Sequence, residues 1–250
     1  MRRLWMTLFA LLLFALPVAA QMGVRGTLPY VSCNQTSTPA TQTCVMNSGA
    51  AATGDMILVF IQGNSIGFRA STVTDNATNS YSLLCSVNNT GGAATQRTEV
   101  WYKANVTGTP SSISITYSAT TDRLAVTPVL VYGYEVAATP VCGTGQGSST
   151  TASASVTVPA ANSGGTLLIG GFGQMTSGVI FTAGANYTML SNSYRNCTEY
   201  RSLSAVGGTT QSASCASSTN TYWSGALVAV KAATGGASTP VRMRAVVRRR

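Results

Sequence analysis

The chain has 250 residues, of which only 8% are charged, against roughly 25% in an ordinary globular protein. Serine, threonine, asparagine and glycine carry the polar surface instead, which suits an extracellular β-sheet and fits a cytoplasmic enzyme poorly. The formal net charge of +9 sits at the ends, in Arg2 and Arg3 and in Arg242, Arg244, Arg248, Arg249 and Arg250, so the body is nearly neutral and no nucleic-acid-binding face is expected.

Residues 1–20 read as a signal peptide: a basic start, an apolar segment over 4–16, and Val18-Ala19-Ala20 before Gln21. That segment is shorter than the ~20 residues a spanning helix needs. A secreted or cell-surface address follows, with no transmembrane segment after cleavage. Residues 21–53 form an N-terminal extension with one disulfide hairpin and little hydrophobic mass. Residues 55–61, an apolar run between Gly54 and Gly63, predict a short buried strand. Strands at 72–74 and 81–85 flank the turn formers Asp75-Asn76-Ala77-Thr78-Asn79. Residues 99–103 alternate, with Val100 and Tyr102 on one face and Glu99, Trp101 and Lys103 on the other. Ile113, Ile115 and Tyr117 repeat at period two. Residues 124–136 are apolar, and Pro128 there predicts an edge or a bulge.

Residues 148–158 read as a Ser/Thr strand leading into a second series at 167–172, 179–182, 187–190, 198–203, around Cys215, and 222–231. No window has helical period. Residues 232–250 read as a flexible linker and an arginine-rich tail, a solvated end available to an anionic surface. The second series echoes the first. Gly54-Asp55-Met56-Ile57-Leu58-Val59 returns as Gly165-Thr166-Leu167-Leu168-Ile169, Asn79-Ser80-Tyr81-Ser82-Leu83-Leu84 as Asn186-Tyr187-Thr188-Met189-Leu190, and Thr98-Glu99-Val100-Trp101-Tyr102 as Thr198-Glu199-Tyr200. The expected architecture is an all-β, antiparallel, jelly-roll-like sandwich over 54–231, built from similar halves at about 54–136 and 148–231.

Asp75, Asn79-Ser80-Tyr81 and Trp101-Tyr102-Lys103-Ala104-Asn105 together resemble a pattern in uncharacterised secreted bacterial β-sandwich domains. The resemblance spans most of 54–231 and implies the fold and an extracellular setting; it supplies no catalytic residues. Those domains usually have Gly before the Asn, where this chain has Thr78.

Six cysteines in an exported chain point to disulfides before metal. Cys197 and Cys215 are symmetric about Val206, just before Gly207-Gly208, so a hairpin would set them opposite each other. Cys33 and Cys44 are likewise symmetric about Thr38-Pro39, which leaves Cys85 for Cys142.

The chain contains no histidine, which removes Ser-His-Asp and Cys-His catalysis and the usual zinc and copper sites. The acids are Asp55, Asp75, Glu99, Asp122, Glu135 and Glu199. A glycosidase needs two of them ~5–9.5 Å apart, and Glu99 with Glu199 is the pair that the repeat suggests. The bland alternative leaves both as surface charges beside Arg97, Lys103 and Arg201. Asp75, Asn76 and Asn79 offer oxygen ligands to calcium in one loop, though Asp and Asn also favour turns. Trp101, on the polar face of its strand, is the candidate for stacking on a sugar ring, with Tyr132, Tyr134 and Tyr222 extending the platform. Trp223 reads as a packing residue. Sequons at Asn34, Asn76, Asn88, Asn105, Asn186 and Asn196 matter only in a host that glycosylates them.

The expected function is a secreted, non-catalytic surface, matrix or adhesion protein that binds an extracellular glycan. The first alternative is a self-assembling filament or layer subunit using residues 21–31 as a donor strand. The second is a carboxylate-dependent glycosidase.

Overall fold

The computed structural model describes residues 22–25, 33–35, 40–46, 50–91, 95–118, 124–159, 165–174, 180–193, 195–204 and 207–233. The expected signal peptide, Asp122 and the arginine tail lie outside them, as does most of the expected donor segment. Every regular element among the described residues is a strand: β1 (Gly23–Val24), β2 (Cys33–Gln35), β3 (Thr41–Val45), β4 (Met56–Gly63), β5 (Ala70–Asp75), β6 (Ser82–Asn89), β7 (Gln96–Lys103), β8 (Ser112–Tyr117), β9 (Leu124–Tyr132), β10 (Val141–Thr157), β11 (Thr166–Gln174), β12 (Phe181–Thr182), β13 (Thr188–Ser193), β14 (Asn196–Leu203) and β15 (Thr210–Lys231). No helix among them is long and apolar enough to cross a membrane.

All pairings are antiparallel. One six-stranded sheet runs β1-β9-β4-β7-β6 with β2 also on β9, and a second runs β10-β15-β11-β14-β13 with β12 also on β15. A three-stranded sheet, β3-β8-β5, completes the set. Pro128 falls between the stretches of β9 paired to β2 and to β1, where a missing N–H disrupts no ladder. Residues 23–24 of the expected donor segment pair with β9 of their own sheet.

The large sheets stack face to face. Gly171 and Gly173 of β11 lie against Phe60 and Gln62 of β4, close enough that a Cβ on either would meet them at 2.2 and 2.7 Å. Leu58, Val100 and Val129 point into the same interlayer as Leu167, Ile169 and Val228, as their shared register parity requires. Each large sheet is also covered on its other face. Val73, Ile113, Ile115 and Tyr117 of the small sheet bury against Ile57, Val59 and Ile61. On the far side β10 doubles over itself: a Cβ at Gly143 would lie 1.7 Å from the Ser155 carbonyl oxygen, and one at Gly145 2.0 Å from that of Ser153. Residues 151–157 and 210–216 thereby become a cover, with Ala152, Ala154, Val156 and Ala213 against Leu168, Phe172 and Leu227. The expected sandwich is the inner pair of four layers.

The two large sheets share a strand order. The extension around residues 33–45 supplies β2 and β3 to the first half, and the second half begins with β10 at Val141. Each half then has the sheet order β9-β4-β7-β6 or β15-β11-β14-β13, with a bulge in the outer strand, at Leu83/Cys85 and at Met189/Ser191.

Two expected disulfides form, Cys85–Cys142 and Cys197–Cys215. Cys44 is also disulfide-bonded, while the side chain of Cys33 lies outside the described ones. The hairpin geometry expected for two pairs is absent. Cys197 stands beside Phe172 and Asn192, and Cys215 beside Ala152, so their bridge spans sheet and cover. β2 and β3 likewise belong to different sheets. Cys85–Cys142 joins the two large sheets.

Candidate functional site

The four aromatic residues expected to make a sugar platform do not come together. Trp101 is only 9% exposed, covered by the small sheet, and its Nε1 donates to Glu99 Oε2 at 2.9 Å. Alternation along β7 assigned Trp101 to the polar face correctly, but that face is buried too. Tyr132 is half-buried with the Arg25 guanidinium 5.0 Å over its ring. Tyr134 is buried, and its hydroxyl accepts from the Asn105 N–H. Tyr222 belongs to the other sheet and is half-buried. Trp223 is a packing residue as expected, with Nε1 donating to Ser149 Oγ at 3.0 Å.

The calcium loop is a protein clamp. Asp75 Oδ1 accepts from the Ala77 and Asn79 N–H groups at 2.9 and 3.0 Å, and Oδ2 accepts from Asn79 Nδ2 and the Tyr81 hydroxyl, both at 2.9 Å. Asn79 Oδ1 accepts from the Thr107 N–H, and Asn76 Oδ1 from the N–H groups of Ser111 and Ser112. These oxygens accept hydrogen bonds from donors of the chain itself. Burial and the neighbouring Asp75 carboxylate push the Tyr81 hydroxyl well above the ordinary phenol range.

Glu99 and Glu199 are both buried, not surface charges. Glu99 accepts from Arg97 Nε at 2.7 Å, from Trp101, and from the Ala70 N–H at 3.2 Å. Glu199 accepts from the N–H groups of Gly184 and Ser214 at 2.7 and 3.0 Å. Burial pushes its carboxyl up to about 7, although both N–H groups favour the ionised form. The repeat also misaligned the pair. Tyr102 stands opposite Leu58 and Ser82, and Tyr200 opposite Ile169 and Thr188, so Glu199 matches Trp101, two residues from Glu99. Each glutamate faces its cover, with both large sheets between them. Sheets stack ~10 Å apart, so the two carboxylates do not flank one sugar bond. Glu199 also lies against Cys197 and Cys215, but those sulfurs are bonded to each other and offer no thiolate.

What the sequence reading missed lies between the large sheets. Their interlayer is apolar at one end and polar at the other. Beyond Phe60, the strand reaches Gln62; across from it come Thr98, bonded to Ser224 at 2.8 Å, and Asn196, whose Nδ2 donates to Thr127 Oγ1 at 2.9 Å. There the sheets leave a small cleft of about 20 Å³, lined by Gln62, Asn64, Gln96, Gln174 and Arg195 with Gly63 and Gly173. Gln62, Gln96 and Gln174 are 4%, 2% and 2% exposed. Both amide atoms of Gln62 and of Gln174, together with Gln96 Oε1 and Asn64 Oδ1, have no hydrogen-bond partner among the described residues. Buried polar atoms left so cost roughly 1–3 kcal/mol each, and native folds keep few of them. Gly173 is needed here, because a side chain on it would displace Gln62. Arg195, whose carbonyl accepts from the Gln174 N–H at 2.8 Å, holds a left-handed φ of 73°. The available signal was a glutamine beside a glycine ending each central apolar run, Gln62-Gly63 and Gly173-Gln174.

No family model, curated protein or solved structure matches the chain.

Proposed function

We propose that this protein is an extracellular, non-catalytic binding module, of a cell surface or matrix, that takes a hydroxyl group in the amide-lined cleft. The group fitting that chemistry is a hydroxyl at the end of a glycan, with the sugar ring outside the cleft. The observation that carries the reading is the set of unpartnered amide atoms on Gln62, Gln96 and Gln174. An amide offers donors and an acceptor together, which is what a hydroxyl needs, and carries no charge to select an ion. At about 20 Å³ the cleft admits a single hydroxyl-sized group rather than a whole ring. No carboxylate among the described residues lines it, which supports binding without hydrolysis. The disulfides and the low charge are compatible with an extracellular setting.

The test is ligand-observed NMR of the oxidised mature chain against a panel of neutral and acidic mono- and disaccharides, followed by titration of Gln62→Leu and Gln174→Leu. Binding by the natural chain, weakened about tenfold or more in each variant without loss of thermal stability, is expected. A panel without a binder, or affinity unmoved by both substitutions, overturns the reading.

A further inference from the structure

We propose that residues 141–149 of β10 are an assembly edge that pairs antiparallel with the same residues of a second copy of this chain. A strand at the border of a sheet presents a row of N–H and C=O groups that another strand can extend, and proteins usually blunt it with charge, proline, bulges or brevity. The edges of this molecule divide on that criterion. β1, β2 and β12 have two or three residues each and β3 has five. β5, β6 and β13 are broken by register shifts. β10 is different. It borders the second large sheet, pairs among the described residues only with β15, and keeps a regular register from Val141↔Ala229 to Ser149↔Thr221. Val141–Thr157 contains neither proline nor any ionisable side chain other than the disulfide-bonded Cys142. Along this edge Asn89 Nδ2 already donates to the Gly147 carbonyl, at 2.7 Å, so only that carbonyl is engaged from across the interlayer.

The occupant follows from self-complementarity. An isologous two-fold contact needs a surface that matches itself, and an antiparallel strand pair about Gly145 does so. Thr144 would stand opposite Gln146 and Gly143 opposite Gly147, with hydroxyl facing amide and no like charges in contact. Thr144, Gln146 and Ser148 are exposed, so their side chains are available for that contact. The result is one sheet running continuously through two molecules, with the two amide clefts carried at fixed separation.

The experiment is light scattering of the full, oxidised, secreted chain over a hundredfold concentration range, together with Thr144→Lys/Gln146→Lys. Lysines there would face each other across the pairing and weaken it at least tenfold. Ser212→Lys, which adds charge at an exposed position outside residues 141–149, is the control. Expected are a natural chain and control of twice the chain mass and a double-lysine variant of single mass. Amide hydrogen exchange at 141–149 of the natural chain, slowing as concentration rises, reads the same contact without a mutation. A natural chain of single mass throughout, a double-lysine variant that still pairs, or exchange independent of concentration overturns the proposal.

Discussion

The two halves share a strand order and differ in how the chain turns from one layer to the next. In the first half the border of the large sheet and the border of its cover are separate strands, β1 with β2 and then β3; in the second they are a single 17-residue strand, β10, folded over itself. β8 and β9 are likewise separate, whereas β15 performs both tasks in 22 residues with residues 217–220 left out of its pairing to β10 at the bend. The same topology is thus reached by breaking the chain or by bending it. Bending requires glycine where the layers touch, at Gly143 and Gly145, and it leaves a long regular border that the broken half lacks.

The halves also differ in how each buries a glutamate against its cover, and that difference can be broken experimentally. Glu99 is paired with Arg97, itself 6% exposed and bonded to Asn88 Oδ1 at 2.7 Å. Removing the guanidinium in Arg97→Met leaves a buried carboxylate unpaired, and a loss of roughly 3–5 kcal/mol is expected in urea unfolding. Glu199 rests on backbone N–H groups, with its carboxyl raised from 4.5 to about 7. The unfolded chain ionises first, so this group's contribution is full below pH 4.5 and is lost as pH rises through 7. Roughly 2–3 kcal/mol of stability should disappear between pH 5 and pH 8, at about 1.36 kcal/mol per unit. Glu199→Gln should flatten that part of the pH profile of the melting temperature and leave the protein more stable than the natural chain at pH 8. An unchanged slope would show that another group is responsible.

The smallest expected effect sharpens the comparison of turns. The link before the outer strand enters the left-handed region at Thr78, φ 65°, in the first half and at Asn186, φ 67°, in the second. Asparagine tolerates that conformation and a β-branched residue does not. Thr78→Gly should therefore raise stability by roughly 0.5–1 kcal/mol, while Asn186→Gly should change it by only a few tenths. Calorimetry of the two variants side by side reads the difference.

Much of the architecture was legible because periodicity reports strands directly. Gly54 and Gly165, both at positive φ, and Tyr81 and Tyr187 mark the repeat in the letters themselves. Two of the cysteine pairs, Cys85–Cys142 and Cys197–Cys215, were legible as pairs, but symmetry in sequence suggested a hairpin for the second, whose bridge spans layers. Alternation tells which residues share a face and is silent about what covers it. Glu99, Trp101 and Lys103 therefore read as a solvent face, although a sheet made of residues 41–45, 70–75 and 112–117 lies over Glu99 and Trp101. The cleft escaped for a related reason: three glutamines distant in sequence meet only where two sheets part, and nothing local to any of them announces it.

The bridge between Cys85 and Cys142 closes a ring of chain that includes residues 133–140, the passage from one half to the other. A protease that cut this passage would open the ring without separating its parts. The product would keep the mass of the whole plus one water under oxidising conditions and fall into two fragments when reduced. The molecule thus carries a second, sulfur-based connection at the point where its two halves would otherwise be joined by a single strand of backbone.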